Sequence, residues 1–247
     1  RQLQQLLKEK SLSYTGSGPE ASRLCMDKMK TKEPLRQAGI KTPKAIAYAD
    51  RLRRSDLMET FGPAQKKLVV KPIGQGSSVG VNIVDMESVI ETAKDVRNQY
   101  GDCMIEQYIR GRELTVGILN GKPLPVVEIR PKQTFYDYHA KYEADDTEYL
   151  FDTIPDKRLI DTLNRSALKS FKVLGCAGYA RVDFIVDSQQ NDYVLELNTI
   201  PGMTTHSLIP KAAQKAGLTM QQLCADIVNK TWNMKKRSGK SADSILK

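Results

Sequence analysis

The sequence predicts an α+β fold, because its strands follow one another in pairs and helices separate the pairs. Two apolar runs, 68–72 and 81–84, flank a short loop that is rich in glycine and serine. Two later runs, 179–186 and 193–198, flank a polar turn. The dipeptide Asn120-Gly121 is typical of a two-residue hairpin turn. Hairpins form antiparallel sheets, so an alternating parallel fold is not indicated.

Helices are predicted where apolar residues recur at helical spacing. These segments include 2–9, 21–38, 156–174 and 219–232. The 247 residues are enough for one large domain or two small ones with real cores. No apolar run reaches the length of a membrane helix, so no membrane partner is expected.

The cysteines and histidines argue against a zinc site. Four cysteines are widely spaced without a CxxC pair, and there are only two histidines. Each cysteine has mixed or apolar neighbours in the sequence, which favours free, buried thiols. Free thiols suit a reducing compartment, and a cytoplasmic location is therefore expected.

The chain is basic, with a formal net charge of +9. The charge is spread along the sequence, and its one dense cluster is Lys235-Lys236-Arg237, near the end. Aromatic residues do not interleave with the basic ones, so a nucleic-acid platform is not indicated. A solvated basic surface is one interpretation, and an affinity for polyphosphate substrates is another.

The glycine-rich loop 74–80 is a candidate phosphate site. Its small residues can turn backbone N–H groups toward an anion. It is neither a Walker A loop nor a dinucleotide fingerprint, because no Gly-Lys-Ser/Thr ends it and a strand follows it. Lys71 lies just before it, at the end of an apolar strand, where its ammonium needs a partner. A flexible hairpin loop beside a strand-end lysine is the alternative.

Four polar residues on the apolar strands of the later pair form a candidate metal site. Side chains alternate along a strand, so Arg181 and Asp183 share one face, and so do Glu196 and Asn198. If the two strands form a hairpin, all four can converge. Carboxylate and amide oxygens are the hard ligands that Mg²⁺ takes, with ATP phosphates at other positions. A structural salt bridge from Arg181 is the alternative.

Two further segments have polar character. A turn of small residues runs from Thr199 and opens a helix at Ser207, which is either an anion site or an ordinary helix cap. The long segment 131–155 carries aromatic residues and Lys141. A mobile lid over a reactive intermediate needs such residues, whereas peripheral packing is the alternative.

Together these segments resemble the D-alanine–D-alanine ligases, from about residue 2 to about residue 230. The shared motifs are Tyr14-Thr15-Gly16-Ser17-Gly18, Met26-Asp27-Lys28, Val70-Lys71-Pro72, Gly76-Ser77-Ser78-Val79-Gly80, Phe135-Tyr136-Asp137-Tyr138, Ala140-Lys141-Tyr142, Arg181-Val182-Asp183, Glu196-Leu197-Asn198-Thr199 and Pro201-Gly202-Met203-Thr204. Each motif alone is weak, but their order and spacing together are specific.

The resemblance implies an ATP-grasp fold that holds ATP between two α+β subdomains. Lys28 and Lys71 would contact the phosphates, and the loop with Ser77 and Ser78 would cover them. The remaining cofactor-binding residues that the resemblance implies are Glu106, Tyr108 and Ile109 beside adenine, Glu113 at the ribose, and Lys141 on the mobile loop.

The resemblance also implies the catalytic, metal and substrate residues. Asp183, Glu196 and Asn198 would hold two Mg²⁺ ions, or Mn²⁺ in their place. The implied catalytic residues are Arg181, the backbone N–H of Gly202, Ser77 and Tyr142. Ser207 and Leu208 would position the second D-alanine. The expected reaction joins two D-alanines through an acyl phosphate, for peptidoglycan precursors.

The implied domain organisation begins with a departure from the family. The expected division is 1–12 as the end of a leading substrate domain, 13–106 as the small subdomain, 107–232 as the large subdomain and 233–247 as a basic tail. The rest of the leading domain, which supplies a glutamate for the first D-alanine, is expected to be missing. There are two alternatives: another ATP-grasp carboxylate–amine or depsipeptide ligase, and a nucleotide-binding module without ligase activity. A homodimer is compatible with the resemblance.

Overall fold

The computed structural model describes residues 2–131 and 147–230. The helices are α1 (Gln2–Glu9), α2 (Pro19–Met26), α3 (Lys28–Gln37), α4 (Arg54–Phe61), α5 (Val89–Tyr100), α6 (Lys157–Val173), α7 (Leu208–Lys215) and α8 over 220–230. The strands are β1 (Ala45–Ala47), β2 (Lys67–Pro72), β3 (Asn82–Asp85), β4 (Cys103–Gln107), β5 (Gly111–Leu119), β6 (Lys122–Pro123), β7 (Val127–Pro131), β8 (Thr147–Leu150), β9 (Tyr179–Asp187) and β10 (Asp192–Asn198). Within these ranges no helix is long and apolar enough to cross a membrane. Lys141, Tyr142 and the predicted tail 233–247 lie outside the described residues.

The first sheet has four antiparallel strands in the order β1-β4-β2-β3. Its core joins Leu68 and Val70 of β2 to Leu57 of α4 and to Val89 and Ala93 of α5. Val70 and Leu68 alternate with polar or half-buried positions, as expected for a strand with one face on a core. This packing fixes the end of β2, and with it Lys71, beside β4.

The second sheet has the order β10-β9-β5-β7-β8, and β6 pairs with β5. Helix α6 buries Leu163 and Ala167 against Val182 and Phe184 of β9. Both sheets are antiparallel in all their pairings, which confirms the predicted α+β class. The predicted hairpin turn is also confirmed, because Asn120 (φ 52°) and Gly121 (φ 78°) adopt the left-handed conformation that this turn requires.

The predicted helix over 21–38 is wrong in one respect, because it is two helices. Asp27 has extended backbone angles (φ −98°, ψ 96°) and ends α2. Its side chain accepts a hydrogen bond from the backbone N–H of Lys30 and thereby caps α3. The break makes Lys28 the first residue of a new helix.

The stretch between α1 and β1 packs with the second sheet. Cys25, Leu35 and Ile40 belong to the same buried cluster as Leu114 and Val182. The predicted boundary between 106 and 107 falls at the end of β4, between the two sheets. The predicted unit 13–106 therefore holds two parts, and the part before β1 contributes to the core of the second sheet.

The thiols only partly follow the prediction. All four cysteines are free, and Cys25 and Cys103 are buried. Cys176 is half-buried and Cys224 is exposed, so the expectation that every thiol is buried is wrong. Cys224 lies on α8, and most of its neighbours on this helix are exposed as well.

Candidate active site

A buried array of three charged side chains lies where β2 and β4 meet α3. The Nζ of Lys71 is 2.6 Å from Oε2 of Glu106, and the Nζ of Lys32 is 2.7 Å from its Oε1. The exposed fractions are 2% for Lys32, 7% for Lys71 and 2% for Glu106. Two ammonium groups therefore share one carboxylate. A buried charge is costly without a partner, so this array favours an additional anion.

The carboxylate of the array stays ionised. Burial raises the pKa of Glu106, but the charges and hydrogen bonds of Lys71 and Lys32 lower it by more. The pKa of Glu106 therefore lies below its ordinary value. Burial lowers the pKa of Lys32, and Glu106 opposes this. The sequence predicted Glu106 and Lys71 but missed Lys32. Lys32 follows Lys28 by four residues and so lies on the same helix face, which is the signal that could have found it.

The glycine-rich loop follows β2 and is held by α3. The backbone N–H of Lys28 donates to the carbonyl of Ile73, at 3.3 Å, and its Nζ donates to the carbonyl of Gln75. Ser77 (φ 58°) and Ser78 (φ 59°) both have left-handed backbone conformations. Successive turns of this kind direct backbone N–H groups into an anion-binding concavity.

Gly80 closes this loop at a position that requires glycine. Its φ is 68°, and a Cβ there would lie 2.7 Å from the ring of Tyr100. The close approach packs the end of the loop onto α5 and Pro72. The loop is therefore anchored at both ends, by Lys28 at its start and by Tyr100 at its end.

The two strands of the later pair form the predicted hairpin. Glu196 pairs with Asp183 and Asn198 pairs with Arg181, so all four side chains lie on one face of the second sheet. Thr115 of β5 pairs with Asp183 from the other side and extends the row. The sequence analysis missed Thr115. A threonine within an otherwise apolar strand gave too little signal.

Asp183 is the most heavily bonded residue of this row. It accepts two hydrogen bonds from Arg181, at 2.8 and 2.7 Å, and one from Thr115 Oγ1 at 2.6 Å. Burial lowers the pKa of Arg181, but Asp183, Glu196 and Glu113 raise it more, so it lies above the ordinary value. The salt bridge considered as an alternative is thus present, yet Arg181 faces more carboxylates than it can neutralise.

Lys28 connects this acidic row to the loop. Its Nζ lies 3.3 Å from Glu196 Oε2 while it donates to Gln75, and its side chain is 10% exposed. One side chain therefore links the loop of the first sheet with the edge strand of the second. The predicted phosphate and metal residues are brought to the same place.

The donor set of the acidic row fits a hard cation. Asp183, Glu196 and Asn198 offer carboxylate and amide oxygens, which Mg²⁺ prefers. Among residues 2–131 and 147–230, no group of three or more His, Cys, Asp or Glu side chains forms a complete metal cage. Mg²⁺ usually binds through one or two carboxylates plus the phosphates of a nucleotide, so two carboxylates suffice.

The turn after β10 brings Gly202 and Ser207 together. A Cβ on Gly202 would lie 2.6 Å from Ser207 Oγ and 3.3 Å from its Cβ, so a larger residue would displace the Ser207 side chain or the backbone of the turn. Ser207 Oγ accepts from the backbone N–H of Thr204 at 3.1 Å and lies 2.9 Å from its hydroxyl. Leu208, which follows, is buried in a core cluster with Ile209. These contacts fix the turn at the end of β10.

The remaining predicted cofactor residues that the structure describes lie on β5 and on its connection from β4. Tyr108 and Ile109 are half-buried in the connection from β4 to β5, and the carbonyl of Tyr108 accepts from Gln65 Nε2 at 3.0 Å. Glu113 lies on β5, two residues before Thr115 and on the same face.

Comparison with known proteins decides the family. A sequence profile described as "D-ala D-ala ligase C-terminus" matches residues 35–229. The D-alanine–D-alanine ligase of Syntrophotalea carbinolica is 41% identical over 227 residues, which cover 92% of this chain and 72% of that protein. This chain belongs to the D-alanine–D-alanine ligase family.

Other ligases agree with this assignment. The D-alanine–D-alanine ligase of Saccharophagus degradans is 37% identical over 230 residues, or 93% of this chain and 72% of that protein. The crystal structure of the Bacillus anthracis ligase complexed with ATP superposes with a TM-score of 0.82 at 36% identity and covers 96% of this chain and 76% of its own. The predicted ATP-grasp fold of this ligase-family chain is therefore confirmed.

A relative with a different printed specificity also shares the fold. The VanG D-Ala:D-Ser ligase of Enterococcus faecalis superposes with a TM-score of 0.82 at 25% identity, over 93% of this chain and 68% of that one. The ligase family therefore includes members named for different acceptors, at lower identity to this chain than the D-alanine–D-alanine ligases above.

Proposed function

We propose that this protein joins two D-alanines with ATP, to form D-alanyl-D-alanine for peptidoglycan precursors. The observation that carries the proposal is the contact of Lys28 with both Gln75 and Glu196, in a chain of this ligase family. It brings a loop suited to phosphate together with carboxylates suited to a cation. Phosphoryl transfer requires both in one place, because the attacking carboxylate and ATP are both anionic.

Nucleotide binding is assigned to the region where Lys28 links the loop 74–80 with Glu196. Lys28 and Lys71 would contact the phosphates, and the loop with Ser77 and Ser78 would cover them. The buried surplus of positive charge at Lys32, Glu106 and Lys71 supports this assignment. The residues assigned to the nucleoside are Glu106, Tyr108, Ile109 and Glu113, and Lys141 is assigned to the phosphates from the sequence alone.

The cation site is assigned to Asp183, Glu196 and Asn198. These residues would hold two Mg²⁺ ions, or Mn²⁺ as another hard cation. When bound, the cations neutralise charge on the phosphates and so lower the barrier to attack by an anion. The converging oxygens and the acidic surroundings of Arg181 support this assignment.

The chemistry proposed for this site has two steps. The carboxylate of the first D-alanine attacks the γ-phosphorus of ATP, which gives an acyl phosphate and releases ADP. The amine of the second D-alanine then attacks the acyl carbon, and phosphate leaves as the peptide bond forms. Arg181 and the N–H of Gly202 would stabilise the oxyanion, and Ser207 and Leu208 would position the second D-alanine.

Exclusion of water matters for this chemistry, because water would hydrolyse the acyl phosphate. Ser77 and Tyr142 are assigned to segments that cover the site and exclude water. The assignment of Tyr142 comes from the sequence alone. A cytoplasmic location, where ATP is available, and a homodimeric assembly are further parts of the proposal. Neither nucleic acid nor a membrane is proposed as a partner.

The experiment that tests this function is ADP release with D-alanine, compared with release without amino acid. The expected result is ADP release that depends on both Mg²⁺ and D-alanine, with L-alanine as the inactive control. D-Serine and D-lactate are tested beside D-alanine as second substrates, because the VanG relative is named for D-serine. Preferential use of either would replace the dipeptide assignment by the corresponding ligase, and no amino-acid-dependent release would refute it.

A further inference from the structure

Lys32 is a buried cation beside the proposed phosphate site, and none of the assignments above gives it a role. It lies one helical turn after Lys28 on α3, and 2% of it is exposed. Its Nζ is 2.7 Å from Oε1 of Glu106 and donates to the carbonyl of Pro43 at 2.9 Å. A lysine held this deeply loses the hydration of its charge, so its partners have to compensate that loss.

The second partner of Glu106 shows what Lys32 changes. Oε2 of Glu106 lies 2.6 Å from the Nζ of Lys71. If Lys71 were the sole cation at Glu106, the two charges would cancel, and a phosphate would compete with the carboxylate for Lys71. With Lys32 present, the three side chains have one positive charge in excess. The excess is available to an anion at Lys71, which at 7% is the most exposed of the three.

We propose that Lys32 is a positioning residue for nucleotide binding: it compensates the carboxylate of Glu106 and so leaves the charge of Lys71 for a phosphate of the nucleotide. The inference rests on the proposed function for the identity of the anion. Lys32 acts through Glu106 and Lys71, since its described contacts go to Glu106 and to the carbonyl of Pro43.

A simpler role for Lys32 would be to fasten α3 to the segment at Pro43. The two roles differ in what Glu106 does when Lys32 is neutral. In Lys32→Met, Glu106 retains its charge and neutralises the charge of Lys71, so ATP affinity falls. In the double variant Lys32→Met/Glu106→Gln, Lys71 is the one charge left, and the excess of one positive charge is restored. A fastening role predicts that Lys32→Met weakens ATP binding equally with and without the Glu106 carboxylate, because the bond to Pro43 is lost in both cases.

The test is calorimetric titration of the full chain with Mg-ATP, which needs no ligase activity. Lys32→Met is expected to raise the Kd for ATP about tenfold or more, the scale of one charge-assisted hydrogen bond. Because Glu106 is itself assigned to the nucleoside, the double variant is compared with Glu106→Gln alone, and its Kd is expected to lie within about threefold of that variant, a difference of well under one such bond. Lys30→Met on the same helix, whose side chain is 75% exposed, is the matched control and should leave Kd unchanged.

Each outcome decides the inference. An unchanged Kd in Lys32→Met overturns it, and so does an equal effect of Lys32→Met in the parent and in the Glu106→Gln background. If circular dichroism shows that Lys32→Met does not fold, the double variant decides, and a Kd more than about threefold above that of Glu106→Gln overturns the inference. A parent chain that binds no ATP would refute the proposed function as well, whereas a parent that binds ATP without this pattern refutes the role of Lys32 alone.

Discussion

Glu196 lies directly opposite Asp183 across β9 and β10, because β10 contains a register shift between Val194 and Glu196. Val194 pairs with Phe184, so an unbroken register would place Glu196 opposite Val182, on the other face of the sheet. The bulge adds one residue and turns Glu196 toward Asp183. The acidic row therefore depends on this irregularity of the strand.

Glu196→Gln is expected to remove most of the Mg²⁺ dependence of ATP binding, because a charged hard ligand becomes neutral. The measurement is ATP affinity at several Mg²⁺ concentrations. The substitution also weakens the contact with Lys28, so affinity without metal is recorded separately. Glu87→Gln is the control, since Glu87 is exposed and pairs with Arg54. An unchanged Mg²⁺ dependence in Glu196→Gln would rule out this residue as a ligand.

Lys71→Met is expected to weaken ATP binding or slow turnover by about tenfold or more, since a charge-assisted hydrogen bond contributes about 1.5–3 kcal/mol. Methionine keeps the length of the side chain, and Lys32 remains to compensate Glu106. Lys67→Met, at an exposed position of the same strand, is the control. If ATP affinity and turnover both match the parent, Lys71 is a structural partner of Glu106 only.

Gly202→Ala is expected to lower kcat by about tenfold or more, because an added Cβ would lie 2.6 Å from Ser207 Oγ and displace the backbone N–H assigned to the oxyanion. Overpacking of this kind also costs about 1–3 kcal/mol of stability, so thermal unfolding is measured beside turnover. Gly18→Ala is the control, since its nearest neighbour would be 3.9 Å away. Wild-type kcat in Gly202→Ala would remove Gly202 from the mechanism.

Glu128 gives the fold a dependence on acid pH. Burial raises the pKa of Glu128, but hydrogen bonds from Arg112, at 2.7 and 3.2 Å, and from Arg130 lower it from 4.5 to about 2. Because the folded pKa is depressed, the contribution to stability is present above pH 4.5 and is lost as pH falls toward 2. Its size is at most about 3 kcal/mol, reduced by the partial exposure of both arginines.

Glu128→Gln is expected to unfold more easily than the parent at neutral pH and to approach it near pH 2. The measurement is the free energy of unfolding by urea at pH values between 2 and 7, which covers the window from 4.5 down to about 2 in which the contribution is lost. Glu148→Gln, at an exposed position of β8, is the control. A difference from the parent that stays constant across this pH range would show that the Glu128 carboxylate does not titrate in this way.

Much of the site could be predicted from the sequence, because its motifs lie at the ends of strong strands. Lys71 lies before the loop and beside Glu106, and Asp183 and Glu196 pair across β9 and β10, as their positions in the sequence predict. The bulge that aims Glu196 has no local signal, since it depends on how β10 meets β9. The break between α2 and α3 at Asp27 was missed because the helical spacing of apolar residues continues through it, although Asp is a favoured helix cap.

Contacts between residues that are far apart in the sequence could not be predicted either. Lys32 is ordinary on a helix of basic residues, and its burial comes with its contacts to Glu106 of β4 and to the carbonyl of Pro43. Thr115 contacts Asp183 only because β5 is the next strand in the sheet. Such contacts between distant segments depend on strand order, which hairpin signals do not determine.

The central claim is the ligation of two D-alanines through an acyl phosphate, and oxygen transfer tests it most directly. The protein is incubated with Mg-ATP and with D-alanine whose carboxylate carries oxygen-18, and the products are analysed by mass spectrometry. The proposed chemistry predicts one ADP for each D-alanyl-D-alanine, with one labelled oxygen in the released phosphate. Dipeptide without label in phosphate would contradict the acyl phosphate, and ADP release without dipeptide would contradict the ligase.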